Sequence, residues 1–250
     1  MTFPFIFRSA STDSTNRQLA DFLRDGLPDG SVFPEFGAVM ADFQTGGRGQ
    51  GSNRWHSEAG LNLLISTYFR PPIPAVRQFV FNEFFALCVR NFVSSFINEE
   101  VKIKWPNDIY VNDRKIAGIL IEHSVIGDDI RYSIAGLGLN INETDFPSDL
   151  PNPISISQLI RKQYDINELA AQLLAVFQSS FMNLKEEKWE KLEQEYFSHL
   201  YRMEKFSFYI VENQKVEAKI TGVDKFGRLL LVGRGGEKWC CGQREIKYVL

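Results

Sequence analysis

The chain is poor in cysteine. Cys88, Cys240 and Cys241 are the only three in 250 residues. Two are neighbours, the count is odd, and no Cys-x-x-Cys occurs, so neither a disulfide framework nor a cysteine zinc site is expected. Basic charge is not in excess. With 28 Lys and Arg against 31 Asp and Glu the net charge is -3, which argues against bulk nucleic-acid binding but leaves room for a local basic site. No apolar run approaches the ~20 residues of a membrane span. The N-terminus, MTFPFIFRSASTDSTN, has no basic segment ahead of an apolar one, and Arg8 interrupts it. No secretory leader is expected, and the sequon at Asn142 to Thr144 is expected to be silent. Repeats, coiled coils and low-complexity runs are absent too. The expectation is a reducing, cytoplasmic setting.

What is present is ordinary globular composition, with 44% hydrophobic and 24% charged residues, and 21 phenylalanines to fill an aromatic core. STNRQLADFLRDG carries Leu19, Phe22 and Leu23 at helical spacing, with Ser14 as N-cap and Gly26 as stop. AVMADF reads as a strand. Leu61, Leu63, Ile65, Thr67 and Phe69 alternate, as in a strand with one buried face. Phe81, Phe85, Cys88, Phe92 and Phe96 mark a core-facing helix.

Three strands follow, VKIKW, DIYV and KIAGILIEHSV. The last two are joined at Asn112-Asp113, and Gly127-Asp128-Asp129 turns the chain into IRYSIAGLGLNIN. Tight turns imply antiparallel pairing. After Pro147, Pro151 and Pro153 come two helices. One has Asp165 and Glu168 as a capping box. The other has Trp189, Leu192, Tyr196 and Leu200 on one face. From Tyr201 onward only short strands occur, five in about fifty residues, as in a small barrel of SH3-like size. The fold class expected is α+β: helices on a mixed or antiparallel sheet over residues 1-202, and an all-β cap over 203-250.

Three stretches carry candidate chemistry. In TGGRGQGSNRWHSEAG, Gly46, Gly47, Gly49 and Gly51 permit positive φ and close approach of a ligand. Arg48 suits a phosphate or carboxylate, and Trp55 offers a flat face beside Arg54. The loop is either a flexible turn or a wrap around an anion, and no Gly-Lys-Ser/Thr closes it as a Walker motif. In KIKWPNDIYVNDRKIAG, Lys104 stands in or at the end of an apolar strand, where it needs a partner. Pro106 stops the strand, and Asn107 and Asp108 follow. A Pro-Asn-Asp turn accounts for the last three but not for Lys104. In GLGLNIN, Gly136 and Gly138 mark a close approach by ligand or backbone, and Asn140 is a polar group needing partners.

The glycine-arginine loop ending in Trp-x-Ser, then Lys-Trp-Pro-Asn-Asp, then Lys-x-Ala-Gly-Ile-Leu-x-Glu, resembles the biotin–protein ligase family. Ser14-Thr15-Asn16 and the Gly-x-Gly-x-Asn at Gly136 to Asn140 fall in that family's order. The resemblance spans essentially the whole chain. It implies a catalytic domain of class II aminoacyl-tRNA-synthetase type with an SH3-like cap. It also implies a reaction. Biotin and ATP with Mg2+ form biotinyl-5′-AMP and pyrophosphate, and a lysine of a biotin carboxyl carrier domain then displaces AMP.

By the same resemblance, Lys104 and Arg48 are the catalytic cations. Ser14, Thr15, Asn16, Gln44, Gly47, Arg48, Gly49, Gln50, Lys104 and Gly118 hold biotin. Arg48, Trp55, Asn107, Lys115 and Asn140 hold the nucleotide, and Asp108 orients Lys104 or helps magnesium. A homodimer through the strand IRYSIAGLGLNI is compatible with the family.

Two departures bear on this reading. Gln50 and Asn53 stand where the family usually has arginines, which predicts weaker holding of the adenylate unless Arg54 substitutes. The ligand-binding DSTN begins at Asp13, leaving no room for the N-terminal winged helix of bifunctional members, so a ligase without a DNA-binding role is expected. Two rivals stand beside it. A lipoate ligase or octanoyltransferase of the same fold is disfavoured by KWPND, by the loop, and by the lack of a suitably placed cysteine. A non-catalytic biotin sensor would not need Lys104, Arg48 and Asn140 together.

Overall fold

The computed structural model describes residues 4–51, 53–185 and 188–249. Ser52, and Glu186 and Glu187 ahead of the last helix, lie outside the described residues. The larger sheet has seven strands: β1 (Ile6–Thr12), β2 (Ala38–Gln44), β3 (Leu63–Phe69), β4 (Val101–Lys104), β5 (Asp108–Val111), β6 (Arg114–Ile126) and β7 (Asp129–Leu139). Their order is β1-β2-β3-β7-β6-β5-β4. Only β1 with β2 is parallel, so the sheet is mixed. The helices are α1 (Thr15–Asp25), α2 (Gln78–Ser94), α3 (Ile156–Ile160), α4 (Ile166–Ser180), α5 (Met182–Lys185) and α6 (Trp189–Ser198).

β3 departs from the expectation of one buried face. Leu64 and Ser66 are as buried as Leu63 and Ile65, because α1 packs on one face of the sheet and α4 reaches the strand from the other. A central strand covered on both sides has no solvent face to encode by alternation. α2 is likewise buried almost all round from Val80 to Val89, lying against the sheet, α4 and α6. Phenylalanines fill the space between. Phe85 stacks on Phe177 at 4.6 Å, and Phe69 meets Phe81, Phe177 and Phe181.

Local signals hold in part. Asn112 has positive φ in the β5–β6 turn, and Gly26 ends α1 at φ 86. Asp165 caps α4 by accepting from Asn167 N and Glu168 N, but the reciprocal capping box is at Ser155 and Gln158 on α3.

The C-terminal strands form a second sheet: β8 (Ser207–Val211), β9 (Gln214–Val223), β10 (Leu229–Gly233), β11 (Lys238–Cys241) and β12 (Ile246–Tyr248), in the order β11-β10-β9-β8-β12. Its inward residues Tyr209, Ile220 and Leu231 belong to the same buried cluster as α2 and the large sheet. Trp105 Nε1 donates to Gly227 O at 3.1 Å across the junction. β4 is covered at its outer side, where Ile103 N donates to His199 O and Tyr201 N to Ile103 O. β7 lies between β3 and β6, so the strand expected to extend the sheet in a homodimer is internal and has no free edge. No helix among the described residues is long and apolar enough to cross a membrane. The three cysteines are free.

Candidate active site

Chain order brings five segments to one cavity of about 120 Å³. Its floor is the sheet at Gly118 on β6 and Gly136 and Gly138 on β7. One wall is the start of α1 with Ser14, Thr15 and Asn16, beside Gln44 at the end of β2. The roof is the glycine-arginine loop, and Pro106, Asn107, Asp108 and Lys115 close the far side.

The glycines are needed for space. A Cβ on Gly136 would lie 2.1 Å from Asn16 Oδ1, and one on Gly138 would lie 2.3 Å from the Trp55 ring. Of Gly46, Gly47, Gly49 and Gly51, only Gly51 adopts positive φ, at 66°, contrary to the expectation for the other three. Gly47 is required because a Cβ there would meet Trp55 O at 2.5 Å. The loop is a small hairpin: Trp55 N donates to Gly47 O, Gly49 N to Asn53 O, and Arg48 pairs with Arg54. Gly46 and Gly49 N–H groups are therefore spent on backbone carbonyls.

The first wall is polar and buried. Gln44 Oε1 accepts from Thr15 N at 2.8 Å, and Ser66 Oγ lies 2.6 Å from Asn16 Oδ1. Ser14 is the N-cap of α1 by position, its side chain makes no capping bond, and the residue lines the cavity. Three cations also line the cavity. Arg48 Nη1 lies 3.2 Å from Glu122 Oε1, and Lys115 Nζ lies 2.7 Å from Asp108 Oδ2. Arg54 makes no ion pair among the described residues. Trp55 lies over Gly118 and Gly138, with Lys115 Nζ 5.7 Å from its ring centre, and its Nε1 is buried without a partner among the described residues. The ring covers the floor at Gly118 and Gly138, and the cavity is smaller than the roughly 300–1,000 Å³ of typical ligand pockets.

Most of the expected residues meet here: Ser14, Thr15, Asn16, Gln44, Arg48, Gly49, Gln50, Trp55, Asn107, Asp108, Lys115 and Gly118. Gly47 supports the loop from behind. Two expected residues are placed outside the cavity. Lys104 does not line the cavity. Its Nζ donates to Tyr110 Oη at 3.0 Å and lies 4.8 and 4.9 Å from the rings of Tyr110 and Tyr248. Burial holds its pKa below the usual lysine value, and two aromatic faces with a hydroxyl supply the partners its strand position demanded. Asn140 is also turned away. Its Nδ2 donates to Ile154 O at 3.0 Å and its backbone bonds Ile116 and Ile156, so it ties the end of β7 to the segment before α3.

Asp108 brings no second carboxylate with it among the described residues lining the cavity. Its carboxylate is taken by Lys115, and no group of three His, Cys, Asp or Glu suited to a metal exists among the described residues. Glu122 and Ser66, which touch the lining residues Arg48 and Asn16, received no role from sequence. Glu122 carried a signal, as the carboxylate that closes the Lys-x-Ala-Gly-Ile-Leu-x-Glu motif after an apolar run. No cysteine lines the cavity among the described residues. Cys88 is in the α2 core, where burial pushes its thiol up to about 12.

The arrangement suits an elongated ligand with a neutral, hydrogen-bonding head against Ser14 to Gln44 and an anionic end against Arg48, Arg54 and Lys115. Comparisons with known proteins agree. The model of the biotin/lipoate A/B protein ligase family matches residues 9–140. A bifunctional ligase/repressor BirA of Bacillus subtilis is 33% identical over 175 residues, covering 69% of this chain and 51% of that protein. The namesake from Escherichia coli is 28% identical over 244 residues, covering 94% of this chain and 72% of that one. The chain thus spans about half the length of the Bacillus relative. A biotin protein ligase from Aquifex aeolicus, solved with biotin and ATP, superposes with a TM-score of 0.79 at 21% identity, covering 99% of this chain and 100% of that one.

Proposed function

The chain belongs to the biotin/lipoate A/B protein ligase family, and from that premise we propose that it is an ATP-dependent biotin–protein ligase. Biotin's carboxylate attacks the α-phosphorus of ATP, the bond to the β-phosphate oxygen breaks, and pyrophosphate leaves. The ε-amine of a lysine on a biotin carboxyl carrier domain then attacks the acyl carbon of biotinyl-5′-AMP. AMP leaves and an amide remains. The carrying observation is that a neutral polar wall, three cations and a glycine floor line one cavity.

In this reading Ser14, Thr15 and Gln44 receive the ureido head, and Asn16 shapes that wall. The first step brings two anions together. Arg48, Arg54 and Lys115 offset their repulsion and the charge that develops on the phosphoryl group. Lys115, rather than Lys104, is the lysine placed to do so, by exchanging Asp108 for the reactants. Trp55 leaves the floor as ligand enters and lies against the adenylate, and the loop hairpin shields the anhydride from water. Magnesium is expected to arrive with the nucleotide's phosphates, and no step here is assigned to it.

We further read residues 1-202 as a catalytic unit of class II synthetase type and 203-250 as an SH3-like cap packed on it, working in the cytoplasm, in keeping with the free cysteines. A homodimer would have to use a surface other than β7. An octanoyltransferase would need a cysteine nucleophile in the cavity, and none is there among the described residues. The test is pyrophosphate release by the purified chain with biotin and ATP, with and without a carrier domain. Release that requires biotin and rises with carrier supports the ligase. Biotin binding without release would make the cavity a sensor's grip.

A further inference from the structure

A hydrogen-bonded chain runs from the core to the loop tip, and its middle member has no part in the reaction described above. Ser66, fully buried on β3, lies against both Asn16 Oδ1 and Thr15 Oγ1. Asn16 Nδ2 donates to Leu120 O at 3.3 Å and to Glu122 Oε2 at 2.7 Å. Glu122 Oε1 accepts from Arg48 Nη1 at 3.2 Å. Both amide hydrogens of Asn16 are committed, so its orientation is set: Oδ1 toward Ser66, Nδ2 toward β6. Bare Gly136 leaves the room for that seat.

One carboxylate thus holds two things with separate oxygens. One is the amide at the neutral end of the cavity. The other is the guanidinium on the loop at its anionic end. The loop hairpin is otherwise tied mainly through its own backbone and to Asp13 through Gly46 N. Arg48 and Glu122 are 45% and 40% exposed, so their ion pair adds little to folding stability. What it does is hold a long, flexible side chain over the reaction site, where a small misplacement is costly.

We propose that Glu122 is a positioning residue that seats Arg48 for the anionic end of the reactants and locks Asn16 at the neutral end, so that both ends of the cavity depend on one carboxylate. The proposal rests on the ligase reading. It assigns the two roles to different oxygens, and Glu122→Gln separates them. The glutamine carbonyl still accepts from Asn16, whereas its amide nitrogen cannot accept from Arg48.

The experiment measures pyrophosphate release and calorimetric binding of biotin and ATP for wild type, E122Q, E122A, R48Q and the E122Q/R48Q double variant. E122Q is expected to raise the KM for ATP about tenfold, with biotin affinity within about twofold and the melting temperature unchanged. E122A is expected to weaken both ligands. The double variant is expected to bind ATP no worse than R48Q, because Glu122 acts through Arg48. An active wild type whose E122Q form keeps its KM for ATP, or whose two variants add independently, overturns the proposal alone. A wild type that releases no pyrophosphate overturns the ligase reading and this proposal with it.

Discussion

Lys115 Nζ sits 2.7 Å from Asp108 Oδ2 at the cavity, with both side chains about a third exposed. Lys104, opposite Asp108 in the β4–β5 ladder, is drawn away between Tyr110 and Tyr248. Lys115 lines the cavity and Lys104 does not, and under the proposed function an ammonium must reach the reactants to stabilise their charge. Lys115→Ala is expected to lower kcat/KM for biotin-dependent pyrophosphate release by about 10²–10³, the usual cost of one electrostatic donor at a reacting centre. Lys104→Ala, acting through packing beside the C-terminal sheet, is expected to cost no more than about tenfold. If Lys104→Ala proves the more damaging of the two in a protein of normal melting temperature, the assignment is wrong.

Gly136 and Asn16 define a second prediction. A methyl group at position 136 would overlap Asn16 Oδ1 at 2.1 Å, and the Asn16 amide is held on three sides by Ser66, Leu120 and Glu122. It cannot step aside cheaply. Gly136→Ala is expected to destabilise by about 1–3 kcal/mol, as overpacking does. It should also weaken biotin binding more than ATP binding in calorimetry, since the displaced wall is the neutral one. Equal loss for both ligands would count against Asn16 lying at the biotin end.

Much of this was legible in the chain, for identifiable reasons. Tight turns at Asn112-Asp113 and Gly127 to Asp129 mark the β5–β6–β7 meander because turn chemistry is local. The five C-terminal strands read from their spacing. β1 was not legible: IFRSAST has no clear alternation, and its place beside β2 is a parallel pairing with a helix between, which local sequence does not announce. The choice between Lys104 and Lys115 was not legible either. Both flank the same hairpin, and which one meets the cavity depends on Tyr248, almost 150 residues away and brought in by the packing of the second sheet. Asn140 was legible as a buried amide needing partners, and one of them is Ile154 O, more than ten residues along the chain.

Glu83 gives a prediction about pH. It is 2% exposed on α2, and burial, with Glu193 nearby and only partly opposed by Arg77, raises its carboxyl from 4.5 to about 8. A carboxyl whose pKa is higher in the folded than in the unfolded chain binds its proton more tightly when folded. Its stabilising contribution is complete below about pH 4.5 and is lost as pH rises through about 8. The slope within that window is at most about 1.4 kcal/mol per pH unit. Glu83→Gln, which stays neutral, should gain on wild type as pH rises from 6 to 8 in urea unfolding. A stability difference independent of pH would mean that Glu83 is ionised in the folded protein.

Gln50 lines both the candidate active-site cavity and a second one, lined in part by Asn82, His123 and Arg228. The loop brings two cations to this region, Arg48 and Arg54, and Arg48 is already paired with Glu122. A guanidinium at position 50 would therefore add a positive charge where the adenylate is expected to lie, without competing for Glu122. In a partly exposed loop such a charge is worth about 1 kcal/mol, or roughly fivefold in retention. Gln50→Arg is accordingly expected to slow the escape of biotinyl-5′-AMP about fivefold in a single turnover without carrier protein. The gain should shrink in high salt, because exposed charge is screened. Equal escape from the two proteins at low salt would show that the hairpin, rather than the number of its cations, keeps the intermediate in place.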